Sequence, residues 1–371
     1  MIEIEKAKKM IKTVKTNPIN KVLVDKEYLS YTNLETALRI KTFKRNSLTF
    51  LFPLQNLDLL QDDIKLNLDT GKIIINDTFI LNYNKNELEN YPQIPTVDNA
   101  KFITAIKILY LKKILDIALP FTADDDRYIL QNVLFEIKNF TFRIVSSDGR
   151  RLANINIEQR TTSETTFAIH KDALKVFKRI LRHLDEDKYI AIYEAEKYIV
   201  FTYKDEIEFF CEKKEPEYPH WESVYPQGES LCSFYFYNLY FFSEFLKEIL
   251  SLQKKNKEIL PILIEIPNEI TYLDYHKIIC FYEDIVDDIE VRKEFDIGIY
   301  SFNSNTPIHF HINPKYLLQA VRVGYERFFF YGTEKPLKIE SKEVYTDTNI
   351  YYSFLIMPFR CNCPKSETNS E

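Results

Sequence analysis

The sequence predicts an α+β chain built from three similar domains. Three observations carry that prediction. Hairpin-like strand pairs with alternating apolar and polar residues recur along the chain, and a second multi-stranded run follows each of them. Segments with apolar residues at three-and-four spacing precede these runs. The order helix, strands, helix, strands returns about every 120 residues, a usual domain size. A chain of 371 residues is also too long for one ordinary core.

In order, a helix is predicted over 7–14 and a hairpin over 27–40, turning at Thr32-Asn33. Residues 64–83 read as further strands, turning at Asp69-Thr70-Gly71. A second helix is predicted over 103–118, and a hairpin over 140–157 turns at Ser147-Asp148-Gly149. Helix 170–184 and strands 189–211, with a turn at Glu194-Ala195-Glu196-Lys197, complete the second repeat. The third has helix 240–252, hairpin 269–285 turning near Asp274-Tyr275-His276, and helix 314–324. Asn313-Pro314 suits that last start, asparagine as cap and proline in the first turn. Strands over 327–358 follow, turning at Gly332-Thr333-Glu334-Lys335. Proline-containing segments, Tyr91-Pro92-Gln93-Ile94-Pro95 and the run from Tyr218-Pro219 to Pro226, place boundaries near Val97 and Gly228. The domains are then 1–97, 98–228 and 229–371, with a polar tail from about 361 expected to be disordered.

A net charge of −6 excludes a chain coated with nucleic acid over its whole surface, but not a local basic lining. Five cysteines, an odd number, point to free thiols in a reducing cytoplasm. Cys361-Asn362-Cys363 has no second pair at ligand spacing, and His309 and His311 have no third ligand nearby, so no metal or cofactor is expected. No apolar run reaches the length of a membrane span, and no signal peptide is apparent.

Basic residues gather on the predicted helices: Lys6, Lys8, Lys9, Lys12 and Lys15 on the first, Lys112 and Lys113 on the second, Lys171, Lys175, Lys178, Arg179 and Arg182 on the third. Lys247, Lys254, Lys255 and Lys257 lie on or after the fourth, and Arg322 and Arg327 end the last. Each alone is explained by a solvated helix face. Five such helices in an acidic chain fit sequence-independent, salt-sensitive attraction to phosphate.

Two segments far apart stand out. In Ser146-Ser147-Asp148-Gly149-Arg150-Arg151-Leu152-Ala153, Asp148 can close an Asx turn and Gly149 can take positive φ, which would hold the residues after it on a rigid turn. In Phe354-Leu355-Ile356-Met357-Pro358-Phe359-Arg360, Pro358 ends a strand ladder. Met357 and Phe359 would either finish a core strand or line a surface cleft.

These segments resemble the bacterial DNA sliding clamps, the beta subunits of DNA polymerase III. Arg127-Tyr128-Ile129-Leu130-Gln131-Asn132-Val133-Leu134-Phe135-Glu136 is similar to the family's strand ahead of a Thr-Asp-Gly-His-Arg-Leu-Ala motif, which here reads Ser147 to Ala153. Tyr218-Pro219-His220-Trp221, with Val224 and Pro226, resembles its Phe-Pro-Asp-Tyr link. Asn313-Pro314-Lys315-Tyr316-Leu317-Leu318 resembles its Asn-x-x-Tyr-Leu helix start, and Leu355 to Arg360 its Val-Val-Met-Pro-Met-Arg ending. The match is strong over the second and third domains. In the first it covers only the stretch from Leu29 to Leu38 and Tyr91-Pro92.

The resemblance implies a DNA-clamp fold, helices lining the inside and sheets outside, in a ring-shaped head-to-tail homodimer. It implies a peptide-binding groove formed by Leu130, Ser147, Gly149, Arg150, Arg151, Leu152, Pro219, Val224, Asn313, Tyr316, Leu355, Met357, Pro358, Phe359 and Arg360. Its ligands would be short linear motifs of the polymerase III catalytic subunit and of clamp-loader subunits. Double-stranded DNA would be held without sequence preference by Lys8, Lys12, Lys15, Arg127, Tyr128, Lys171, Lys175 and Arg179. Phe79 and Leu81 would meet Ile249 and Leu250 of a second copy. Arg150 stands for the family's usual histidine, Phe359 for a methionine, and Ser223 where some members carry arginine, so an altered motif preference is expected. Two other readings stay open: a hydrolytic enzyme on a β-rich scaffold, for which no phosphate loop or nucleophile elbow is present, and a clamp-fold interaction module that does not close into a ring.

Overall fold

The computed structural model describes residues 1–14, 19–25, 27–42, 49–60, 64–67, 71–75, 79–138, 140–159, 161, 163–214, 218–253, 259–268, 276–284, 289–321 and 326–359. Lys15, Arg360, Arg322, Lys254, Lys255, Lys257, the turn residues Asp274 and Tyr275, and Cys361 and Cys363 lie outside the described residues.

The elements follow the predicted alternation. Helix α1 (Ile4–Val14) precedes β1 (Lys21–Asp25), β2 (Tyr28–Thr32) and β3 (Thr36–Lys41). After β4 (Phe50–Pro53) comes a single 3-10 segment, Leu54–Leu59, then β5 (Ile64–Asn67), β6 (Lys72–Ile75), β7 (Phe79–Asn82) and a short α2 (Lys85–Glu89). The next repeat holds β8 (Lys101–Lys107), α3 (Ile108–Ala118), β9 (Asn132–Lys138), β10 (Thr141–Ser147) and β11 (Arg151–Glu158), followed by β12 (Thr165–His170), α4 (Lys171–Leu181), β13 (Tyr189–Glu194), β14 (Tyr198–Tyr203) and β15 (Ile207–Glu212). The last holds β16 (Cys232–Phe236), α5 (Leu239–Leu252), β17 (Ile262–Ile266), β18 (His276–Asp284), β19 (Ile289–Phe302), β20 (Ile308–Ile312), α6 (Pro314–Ala320), β21 (Glu326–Phe330), β22 (Leu337–Val344) and β23 (Asn349–Ile356).

Two differences from the sequence reading have physical causes. Residues 101–107, partly read as helix, form β8, because a ladder to β13 (Ile106 opposite Ile190) satisfies their backbone. Residues 128–131, read as strand, form a 3-10 turn ahead of β9.

The chain divides into two compact units. The first comprises Met1–Leu119, Gln131–Phe142 and Gln159–Pro216; the second comprises Pro120–Leu130, Arg143–Glu158 and Glu217–Glu371. In the first, eight strands run in the order β4-β1-β2-β3-β15-β14-β13-β8, with β5-β6-β7 as a separate small sheet. Helix α4 buries Phe177 between Phe201 and Phe209, ring centroids 4.2 and 5.1 Å away. Such pairs contribute about 1 kcal/mol each beyond area burial. In the second, the order is β11-β23-β22-β21-β16-β19-β18-β17-β20. There α5 turns Phe242, Phe245, Leu246 and Ile249 inward, and Phe242 stacks on Phe236 at 4.1 Å.

Candidate functional site

The site is built on the turn between β10 and β11. Asp148 closes it: Oδ1 accepts from the backbone nitrogens of Arg150 and Arg151 at 2.9 and 3.0 Å. Ser147 Oγ donates to the Arg151 carbonyl at 2.8 Å and accepts from Gly149 N at 3.0 Å. Gly149 has φ +82°, a backbone conformation that favours glycine, and a Cβ there would stand 2.4 Å from the movable end of Arg127 at Nη1.

Arg151 is buried, and its guanidinium is fully engaged. Nε donates to Asp148 Oδ2 at 2.8 Å, one terminal nitrogen to the Pro120 carbonyl at 2.5 Å, and the other to Gln319 Oε1 on α6. Its plane lies 4.1 Å from the Tyr316 ring centroid and 4.7 Å from that of Phe121. Removing one partner of a buried ion pair so bonded strands the other charge and is strongly destabilising. Arg151 thereby fastens the turn to α6.

The second wall is the end of β23. Register pairs Leu152 with Leu355 and Arg151 with Ile356, and Met357 N extends the ladder by donating to the Arg150 carbonyl at 2.9 Å. Met357 remains 38% exposed, whereas Pro358 is buried. The choice left open by the sequence is therefore split: Met357 faces a cleft, whereas Phe359 is half-buried and does not line it. The third wall is the 3-10 turn Trp221–Val224. Trp221 is buried under Arg143, whose guanidinium is 5.1 Å from its ring, and Val224 is 50% exposed.

These walls enclose a cleft of about 210 Å³, largely apolar at its floor. Of the predicted groove residues, Leu130, Ser147, Gly149, Arg150, Arg151, Leu152, Pro219, Val224, Leu355 and Met357 line it. Asn313 does not; its Oδ1 caps α6, accepting from Lys315 N at 2.9 Å. Tyr316 supports Arg151 from beneath, and the Phe359 backbone donates to the His311 carbonyl at 2.8 Å. Tyr218, His220, Trp221 and Pro336 also line the cleft and were not singled out as groove residues. The first three stood in the linking motif; Pro336 carried no local signal. Burial raises the Tyr218 and Tyr225 phenols above their ordinary values, keeping both hydroxyls protonated.

The basic residues are placed unevenly. Lys8 is 2% exposed, its ammonium donating to Glu5 and to the Asp58 carbonyl, and so does not present a surface charge. This corrects its expected role: position 8 falls on the stripe of α1 that carries Ile4, Ala7 and Ile11 inward. Lys171 is likewise buried. Lys12 is exposed but pairs with Asp58 at 2.6 Å. On α4 and at its C-cap, Lys175, Arg179 and Arg182 are exposed, with Lys175 bonded to Asp172 at 2.9 Å. His183 is held below its ordinary value by burial and by the charges of Lys6 and Lys9. In the second unit Arg127 is forked by Asp125, which raises its pKa further, while Tyr128 is exposed.

Phe79 and Leu81 are half-buried on β7, and Leu250 is half-buried on α5. Ile249 is completely buried, so its expected part in an interface is corrected: it packs inside its own unit. Cys211, Cys232 and Cys280 are buried free thiols; burial pushes Cys232 up to about 12. Among the described residues no three metal-ligating side chains converge, and no helix is long and apolar enough to cross a membrane.

No family model matches the chain, and no curated protein matches it. Solved structures do. A DNA polymerase sliding clamp from Bacillus subtilis superposes with a TM-score of 0.77 at 16% identity, covering 97% of this chain and 98% of that one. A DNA polymerase III beta subunit from Thermotoga maritima gives 0.75 at 16% identity, covering 97% of each. A DNA polymerase sliding clamp from Pseudomonas aeruginosa, solved with a ligand, gives 0.74 at 18% identity, covering 97% and 99%. The chain has the sliding-clamp fold.

Proposed function

We propose that this chain is a DNA sliding clamp, an accessory subunit without catalysis of its own that tethers polymerase and clamp-loader subunits to duplex DNA in the cytoplasm. The observation that carries the reading is the cleft beside the Asp148-Gly149 turn, apolar at Leu152 and Leu355 and open at Met357 and Val224, on a chain with the sliding-clamp fold. A glutamine-containing motif with leucine and phenylalanine anchors suits such a cleft, since buried anchors supply most of the affinity. The three domains, 1–97, 98–228 and 229–371, are part of the proposal.

Ring closure has its own support. Third strands pair with third strands: β3 with β15 in the first unit and β11 with β23 in the second. Among the described residues, β7 and the 289–296 part of β19 are paired on one side only, as are the edge strands β4, β5, β8 and β20. Such edges seek partners. A second copy arranged head to tail would set β7, with Phe79 and Leu81, against β19 and Leu250. The exposed cations Lys12, Lys175, Arg179 and Arg182 would then face phosphate.

The test is fluorescence anisotropy of a short glutamine-leucine-phenylalanine peptide against the full chain. Micromolar binding abolished by Leu152→Asp and by Val224→Asp is expected; Val224 is exposed, so its change leaves folding intact. Equal binding by all three proteins would sink the assignment. A non-closing interaction module is the second reading. It is favoured by the 3-10 segment Leu54–Leu59 standing where a helix would lie and by the pairing of Lys8 and Lys12 in that region. A monomeric mass in solution at micromolar concentration, and no retention on circular DNA with a loader present, would support it.

A further inference from the structure

The face of the second unit's sheet that carries the groove does not end there. Register places Leu152, Leu355 and Lys338 side by side, and the next inward step along the same strands places Asn154, Ser353 and Glu340. The step after that brings Asn156, Tyr351 and Lys342. Alternate residues share a face and are about 7 Å apart, so groove and continuation are successive rows of one surface. The continuation is a cleft of about 1190 Å³. Tyr225 stands at the junction: its ring lies 6.0 Å from Trp221 of the groove, and its hydroxyl accepts from Asn154 Nδ2 at 3.0 Å.

The far end of this cleft is aromatic and cationic. Tyr235 lies flat on Gly298, where a Cβ would meet its ring at 2.2 Å, and contacts Tyr237 and Tyr300 at 5.1 Å each. The exposed Arg327 guanidinium covers the Tyr300 ring at 4.0 Å, and Lys342 sits 4.9 Å from Tyr351. Among the described residues neither cation forms an ion pair, whereas the cleft's Glu340 is neutralised by Lys338 at 2.7 Å.

We propose that this cleft is the second half of a bipartite docking surface, occupied by the extended segment that flanks the linear motif held in the groove. The inference rests on the groove reading. The occupant carries an aspartate or glutamate for Arg327 or Lys342 and an aromatic or leucine side chain for the tyrosines. Tyrosine, asparagine and serine with one stacked arginine are the residues of protein recognition, rigid and amphipathic. A nucleic acid fits less well, because Glu326 also lines the cleft and offsets the charge of Arg327 and Lys342.

Three fluorescent probes test it against the full chain: the short glutamine-leucine-phenylalanine peptide, and the same peptide with an Asp-Glu-Leu-Tyr extension at its N-terminus or at its C-terminus. One extended probe is expected to bind about threefold to fivefold tighter than the short one, the range of an exposed cation and aromatic contact. Arg327→Ala and Tyr300→Ala should each remove most of that gain and leave the short probe unchanged. Equal affinity of all three probes, or a gain that survives both substitutions, overturns the inference while leaving the groove intact. Failure of the short probe to bind overturns the groove and the inference together. Single-stranded oligothymidylate bound through Tyr300 would replace the inference with a nucleic-acid stacking face.

Discussion

The Arg151 guanidinium lies 4.1 Å from the centre of the Tyr316 ring, joining the β10–β11 turn to the helix whose start Asn313 caps. The same group holds Asp148, which in turn holds the backbone of Arg150 and Arg151. The shape of the cleft therefore depends on one buried cation.

Replacing Arg151 with alanine should cost about 3–5 kcal/mol, because Asp148 is left charged and buried without its partner. Urea unfolding measures this as a lower midpoint. Arg151→Ala combined with Asp148→Asn should recover part of the loss, since the stranded charge is gone. A double variant no more stable than the single one would contradict the account.

Gly149→Ala should destabilise by about 1–3 kcal/mol, chiefly through its left-handed φ, with a smaller share from displacing the end of Arg127. Adding Arg127→Ala should relieve the steric share and leave the backbone share. Thermal unfolding of the two variants separates them.

His170 predicts a pH dependence. Its Nδ1 accepts from Asp172 N at the start of α4, and its Nε2 lies 3.1 Å from Gln131 Oε1. Burial, outweighing Asp172, holds it below its ordinary value of 6.5. The unfolded chain then binds the proton more readily, so this contribution is complete above pH 6.5 and is lost as pH falls through the folded value. Protonation also removes the cap. His170→Asn keeps a cap without titrating, and its Tm should decline less between pH 7 and pH 5 than that of the unaltered chain.

Lys175→Glu with Arg179→Glu removes two exposed cations of α4 and should weaken retention on duplex DNA equally for every sequence. The slope of log affinity against log salt should fall by about 2. An unchanged slope would place the DNA elsewhere.

Leu81→Asp at the one-sided edge of β7 should convert a dimer to a monomer in sedimentation while leaving the short peptide's affinity unchanged, since the groove lies within the other unit.

Local chemistry made much of this legible in advance. Asn313 before Pro314 announced the cap of α6, and Asp148 before Gly149 announced the turn, because each residue satisfies backbone groups within three positions of itself. The strand β8 was not legible, because its apolar spacing suits a helix equally well and only the ladder to β13 decides.

The alternation of helices and strands, the rigid turn and the capped helix were thus legible in the residues, and the resemblance named most of the residues that line the cleft. Only the fold settles which cations remain outside, that Met357 faces the cleft while Phe359 does not line it, and that Trp221 and Pro336 join the wall. It also set the continuous face from Leu152 to Arg327. Local elements are governed by residues a few positions apart, whereas burial, register and charge pairing are settled by partners such as Lys8 and Asp58 or Leu152 and Leu355, which only the fold brings together.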